Sequence, residues 1–124
     1  MSVVGIGIDL VKIERVEAIW SVRRARFVAR LLHANERADS ATDAACAFAL
    51  KEATAKALGQ GLFAWPLHDV RARSAGGRWS VDLAGRARET ADSMGVTKWH
   101  IDVCVHEGWA TALVVAECKD GVNA

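Results

Sequence analysis

Thr42-Asp43-Ala44-Ala45-Cys46-Ala47-Phe48-Ala49-Leu50-Lys51-Glu52-Ala53-Thr54-Ala55-Lys56-Ala57-Leu58, followed by Gly59, is the stretch on which the fold turns. Its interior is rich in alanine, which gives the least resistance to helix formation. Ser40 or Thr42 can cap its start, and Gly59 is a natural stop. The pattern predicts a helix over 42–58. A step of about 100° per residue puts Ala45, Phe48, Ala49, Glu52 and Lys56 on one stripe. The first three are apolar, so the stripe should face protein, yet Glu52 and Lys56 continue it where leucine is expected. Two readings stand: an i,i+4 ion pair on a solvated helix end, worth about 0.2–0.5 kcal/mol, or the charged part of a site.

Upstream, Val3 to Leu10 reads as a strand with Val4, Ile6, Ile8 and Leu10 on one face and Val3, Gly5, Gly7 and Asp9 on the other. A face thinned by glycines admits close approach of another backbone or of a ligand. Asp9 at its end either caps the following turn beside tight helix–sheet packing, or belongs to a site. Lys12 to Trp20 looks helical. The basic run Arg23, Arg24, Arg26 and Arg30 follows, where Phe27, Leu31 and Leu32 can dock a short helix.

Downstream, Asp69 to Arg73 and Trp79 to Leu83 read as strands around Gly76-Gly77. Arg86 to Met94 reads as a helix closed by Gly95, and Trp99 to Val105 and Thr111 to Glu117 as an antiparallel strand pair. The expected class is α+β, a long helix packed on a largely antiparallel sheet. The 124 residues fit one domain over 1–124, with 52% apolar and 25% charged residues. A net charge of +1 gives no overall bias toward nucleic acid or membrane, so any steering must come from local patches. Cys46, Cys104 and Cys118 have no paired spacing, which favours a reducing compartment, the cytoplasm. The first apolar run is too short for a signal peptide, and no stretch approaches transmembrane length.

Asp9 and Glu52 together, with Lys56 one turn on, suit a magnesium ion and a diphosphate: Mg²⁺ prefers carboxylate and phosphate oxygens, and lysine is a point charge for phosphate. Gly59-Gln60-Gly61 offers backbone N–H groups to a phosphate, or is simply a turn. His100, Asp102, Cys104 and His106 alternate onto one strand face. Those are transition-metal ligand types, and equally the polar face of an ordinary half-buried strand.

Taken in order, these residues resemble the holo-acyl-carrier-protein synthases. Gly5-Ile6-Gly7-Ile8-Asp9-Leu10-Val11 with Ile13-Glu14-Arg15 is similar to that family's opening motif, and Arg26-Phe27 through Leu31 and Glu36 to its second block. Phe48-Ala49-Leu50-Lys51-Glu52-Ala53 with Lys56-Ala57-Leu58-Gly59 and Gly61 resembles its signature helix. Trp65, Val70 and then His106-Glu107 before Ala110 and Ala112 complete the match. The resemblance implies the 4'-phosphopantetheinyl transferase fold, a homotrimer with sites at subunit boundaries, and a reaction. In that reaction a serine of an acyl carrier protein attacks the β-phosphate of coenzyme A and expels 3',5'-ADP. It implies Asp9 and Glu52 as Mg²⁺ ligands and Glu52 as an aid in removing the serine proton. Lys56 would stabilise the phosphoryl group, and Gly59, Gly61 and His106 would lie near coenzyme A phosphates. The carrier is typically acidic, so the resemblance implies Arg15, Arg23, Arg24, Arg26 and Arg30 as the complementary patch; read alone they are a solvated arginine-rich face.

The chain departs from the family pattern at four places: Ala47 for an arginine, Trp79 for the proline of a Gly-Lys-Pro element, and Val103 and Val105 for serines. Arginine to alanine removes a charged fork, and serine to valine removes a hydroxyl. They leave open a transferase specialised for a polyketide or peptide synthase rather than fatty-acid synthesis. They also leave open a degenerate member that binds carrier or coenzyme A without catalysis.

Overall fold

The computed structural model describes residues 1–61 and 64–119. In chain order it comprises β1 (Ser2–Lys12), α1 (Ile13–Leu31), α2 (Ala41–Ala57), a 3-10 turn (Leu67–Asp69), β2 (Val70–Ala75), β3 (Arg78–Leu83), α3 (Gly85–Ser93), β4 (Val96–His106) and β5 (Trp109–Cys118). The sheet order is β1-β5-β4, with β2 and β3 forming a separate hairpin, and every pairing is antiparallel. This is the expected α+β class, with α2 laid across β1 and β5.

The α2 helix begins where the Ser40 side chain accepts from the Asp43 N–H at 3.1 Å, so Ser40 is the cap and Thr42 lies inside. It is buried nearly all round, with Ala44, Ala45, Ala49, Leu50 and Ala53 wholly enclosed. Alanine lets neighbouring backbones come close, and β1 answers with glycine. A Cβ built on Gly5 would stand 1.7 Å from the Ala57 carbonyl oxygen, and one on Gly7 1.8 Å from that of Ala53. Only glycine fits either place. The helix and strand are therefore in backbone contact, and the residues flanking the contact meet across it.

Local expectations shift in three places. The helix starting near Lys12 does not stop at Trp20. It continues to Leu31 through a kink at Arg23, whose φ of −134° and ψ of 39° are not helical. A bulge between Val3 and Gly5 breaks the strict alternation of β1. Val4 consequently packs against the core, whereas Ile6, Ile8 and Leu10 are 58%, 53% and 57% exposed. Asp69 ends the 3-10 turn instead of opening β2.

Candidate active site

Asp9 does not cap α1, whose N-cap residue is Lys12 with no side-chain capping bond. Lys56 does not pair with Glu52 one turn back. Instead the Lys56 ammonium lies 2.9 Å from Asp9 Oδ1 and donates to the Ile8 carbonyl at 3.2 Å. The solvated i,i+4 pair is thus overturned, for a reason built into the backbone. With glycines at 5 and 7, β1 sits so close to α2 that the short Asp9 side chain meets Lys56 directly. The Asp9 side chain is 15% exposed and that of Lys56 48%.

Glu52 lies beside them, 7% exposed. Burial raises its pKa, the neighbouring Asp9 charge raises it further, and Lys56 partly offsets both. It makes no hydrogen bond or ion pair among the described residues. A carboxyl group on a largely buried residue, repelled by a second carboxylate and opening onto a cleft with no protein donor, is suited to a cation. Two hard oxygen donors fit Mg²⁺ better than a soft metal. A cleft of about 360 Å³ opens from this pair, walled by Val16, Ile19, Phe27 and Phe48, with Arg15 at its edge.

Of the two readings of the glycine loop after α2, the structure bears out the turn for Gly59 and Gln60. The Gly59 N–H donates to the Lys56 carbonyl and the Gln60 N–H to that of Ala55, both at 2.9 Å, and Gly59 has φ 72°. This is a Schellman closure, which engages the very N–H groups expected to cradle a phosphate. Gly61 alone of the three has an N–H with no such role in the closure. His106 is also remote. The register places Asp9, Ala112 and Val103 in one row and Lys12, Trp109 and His106 in another, so His106 is two strands and three rows away, largely exposed. Within one chain it does not meet Asp9, Glu52 or Lys56.

On β4, His100 Nε2 lies 2.9 Å from Glu117 Oε2. No group of three or more His, Cys, Asp or Glu suited to a metal gathers among the described residues. His100, Asp102, Cys104 and His106 are all exposed, as the polar face of a half-buried strand.

Arg15, Arg23, Arg24, Arg26 and Arg30 are all exposed along α1. Arg24 stacks over Trp20 at 4.5 Å from the ring centre, and none has a carboxylate partner among the described residues. The exposed Ile19 and Val22 lie among them. Of the departures, Ala47 is buried and Trp79 and Val103 pack against the core, while Val105 is half-exposed.

Sequence reasoning gave no role to Lys51, the neighbour of Glu52. Its side chain is 1% exposed and that of Glu36 0%, and the two pair at 2.8 Å. Lys51 also donates to the Leu67 and Val70 carbonyls, while Glu36 accepts from the backbone N–H groups of His33 and Ala72. Burial lowers the Lys51 pKa and the pairing with Glu36 opposes that. A lysine off the apolar stripe, inside the densest helix, was the available signal.

The model of the 4'-phosphopantetheinyl transferase superfamily matches residues 5–114. A holo-[acyl-carrier-protein] synthase of Alkalilimnicola ehrlichii is 39% identical over 132 residues, spanning 95% of this chain and 99% of that one. One from Solidesulfovibrio magneticus is 41% identical over 120 residues, spanning 91% and 97%. Among solved structures, the holo-[acyl-carrier-protein] synthase of Neisseria meningitidis superposes with a TM-score of 0.80 at 26% identity, covering 94% and 99% of the two chains. That of Helicobacter pylori, in complex with coenzyme A, gives 0.77 at 28% identity, covering 90% and 99%.

Proposed function

The chain belongs to the 4'-phosphopantetheinyl transferase superfamily, and from that premise we propose that it moves the 4'-phosphopantetheine arm of coenzyme A onto a serine of an acyl carrier protein, with Mg²⁺. One observation carries the reading: an aspartate, a glutamate and a lysine from two elements converge where glycines bring those elements into backbone contact.

Asp9 and Glu52 would hold the metal through their carboxylate oxygens. Bound there, Mg²⁺ supplies positive charge to the diphosphate. Lys56, half-exposed at the same place, is free to turn its ammonium onto a phosphate oxygen. Glu52 would also help to remove the proton of the attacking serine. Phosphoryl transfer needs mainly positioning and charge stabilisation, and these three side chains provide both. Gly61 offers its N–H at the loop, and Gly59 shapes that loop.

His106 would join the site only from a neighbouring copy, consistent with the homotrimer with sites at its boundaries that the resemblance implies. The outer face of the sheet supports assembly: Ile6, Ile8, Leu10 and Leu113 stand exposed side by side on β1 and β5. An apolar face of this kind is the usual mark of an interface. The unpartnered arginines of α1 would receive an acidic carrier, and Ile19 and Val22 give that patch apolar contacts. The three cysteines have no paired spacing, which suits a reducing compartment such as the cytoplasm.

Incubating a panel of apo carrier proteins with coenzyme A and Mg²⁺, then weighing them by mass spectrometry, tests the reading. A gain of one phosphopantetheine on any carrier is expected, lost on chelation and in Asp9→Asn. Binding without transfer across fatty-acid, polyketide and peptide carriers would replace the enzyme with a carrier-binding protein. Sedimentation of the purified chain tests the trimer.

A further inference from the structure

The cation that Asp9 holds in this structure is the Lys56 ammonium. Its 2.9 Å bond to Asp9 Oδ1 occupies one oxygen of the very carboxylate assigned to magnesium, and a 3.2 Å bond to the Ile8 carbonyl holds it there. Glu52, the other carboxyl of the pair, has no such bond. The two carboxyl groups are thus unequal: one is already neutralised from within the chain, the other is not.

Resting on the magnesium reading above, we infer that Lys56 is a built-in counter-ion, which competes with the metal for Asp9 and so sets how tightly the coenzyme-free protein binds it. The consequence is ordering. With no phosphate present, Lys56 stays on Asp9 and lowers the metal affinity of the pair. When a diphosphate arrives, Lys56 has a second anion to face, and Asp9 Oδ1 is released to the metal. Metal and coenzyme A then bind with positive cooperativity, each raising the affinity of the other by the same factor, as linkage requires. A lysine suits this exchange because its flexible stem lets one ammonium serve two places. Its half-exposed position gives it room to swing.

A lysine that served phosphate alone would leave metal binding by the coenzyme-free protein unchanged or slightly altered. The experiment therefore omits coenzyme A and carrier. Mn²⁺ is titrated into the purified protein, and free ion is counted by electron paramagnetic resonance in the wild type, Lys56→Met, Lys56→Arg and Asp9→Asn, with circular dichroism to show that each folds. Removing one positive charge in contact with a ligand should tighten Mn²⁺ about tenfold in Lys56→Met. Lys56→Arg keeps the charge and should stay near the wild type. The gap should narrow in high salt, which screens a half-exposed pair.

Adding 3',5'-ADP should tighten Mn²⁺ in the wild type and do so less in Lys56→Met. Unchanged or weaker Mn²⁺ binding in folded Lys56→Met overturns the inference, while the metal reading stands if Asp9→Asn loses binding. Equal binding by the wild type and Asp9→Asn, or none by any variant, overturns both.

Discussion

Helix α2 carries two lysines five positions apart, and they live in opposite worlds. Lys51 is sealed in, with every donor satisfied by Glu36 and two backbone carbonyls. Lys56 is half-exposed, holding one carboxylate and one carbonyl beside a second carboxyl that has no partner. The first joins α2 to the segment after α1, to the 3-10 turn and to the start of β2, so four pieces of chain meet at one ammonium. The second joins α2 only to β1. A closed ion pair fixes positions, because nothing in solution can compete for it. An open one leaves charge available to a ligand.

The sharpest way to break this contrast is to remove each charge in turn. Lys51→Met leaves Glu36 buried without its ion partner and should destabilise the fold by about 3–5 kcal/mol, read from denaturant unfolding. Pairing it with Glu36→Leu should recover part of that loss, because two apolar groups replace a broken pair. A mild effect in Lys51→Met would mean the node is ornamental. Lys56→Met should do the reverse. Its cost in stability should stay below about 1 kcal/mol, as for exposed pairs, while transfer to carrier falls on the order of 10²–10³-fold, the usual loss for one charge-stabilising group. Equal effects of the two substitutions on stability would erase the distinction.

The seam that makes the open pair possible can be tested as well. Gly7→Ala places a methyl group 1.8 Å from the Ala53 carbonyl oxygen, so strand and helix must part. Overpacking of this kind costs about 1–3 kcal/mol, and the separation also pulls Asp9 from Glu52 and Lys56. Activity should therefore fall further than stability alone accounts for. Gly76→Ala, in the β2–β3 turn, is the control, since among the described residues no atom lies near its Cβ and only its φ of 58° is at issue. That change should cost about 1–2 kcal/mol, with the site intact.

Much of this was legible in the residues and some was not. The α2 helix announced itself through alanine, Ser40 and Gly59, and Gly5 and Gly7 marked a strand face where something comes close. Asp9, Glu52 and Lys56 stood out because charge sat where periodicity asked for leucine. The partners did not show. Asp9 and Lys56 are 47 positions apart, Glu36 and Lys51 15, and no spacing rule reaches across such loops. A buried lysine runs against composition-based expectation altogether. The motif Gly59-Gln60-Gly61 could not choose between phosphate donors and a plain turn, because it gives positions but not which N–H the helix end itself consumes. The place of His106 comes from the resemblance, with sites at subunit boundaries; within one chain it lies two strands from Asp9, so spacing in the sequence says nothing of it.

The smallest expected effect concerns Glu52 itself and sharpens the comparison most. Lys51 and Glu36 hold each other's charge, whereas Glu52 is enclosed with Asp9 as a like-charged neighbour, so its folded pKa is raised above the ordinary 4.5. A raised folded pKa means that the native state binds the Glu52 proton more readily than the unfolded chain does. That stabilisation is complete below pH 4.5 and is lost as pH climbs through the raised value. Above it, ionised Glu52 weighs against folding. Glu52→Gln, neutral at every pH and of the same shape, should consequently melt a few degrees higher (on the order of 2–4 °C) at pH 7–8 with a chelator present. The gain should shrink to nothing as pH falls through the carboxylate range, and added Mg²⁺ should erase it by stabilising only the wild type. A variant less stable than the wild type at neutral pH, metal-free, would mean that Glu52 is satisfied within the chain like Glu36. A residue that weakens the fold when ionised and unliganded is what a site gives up for function.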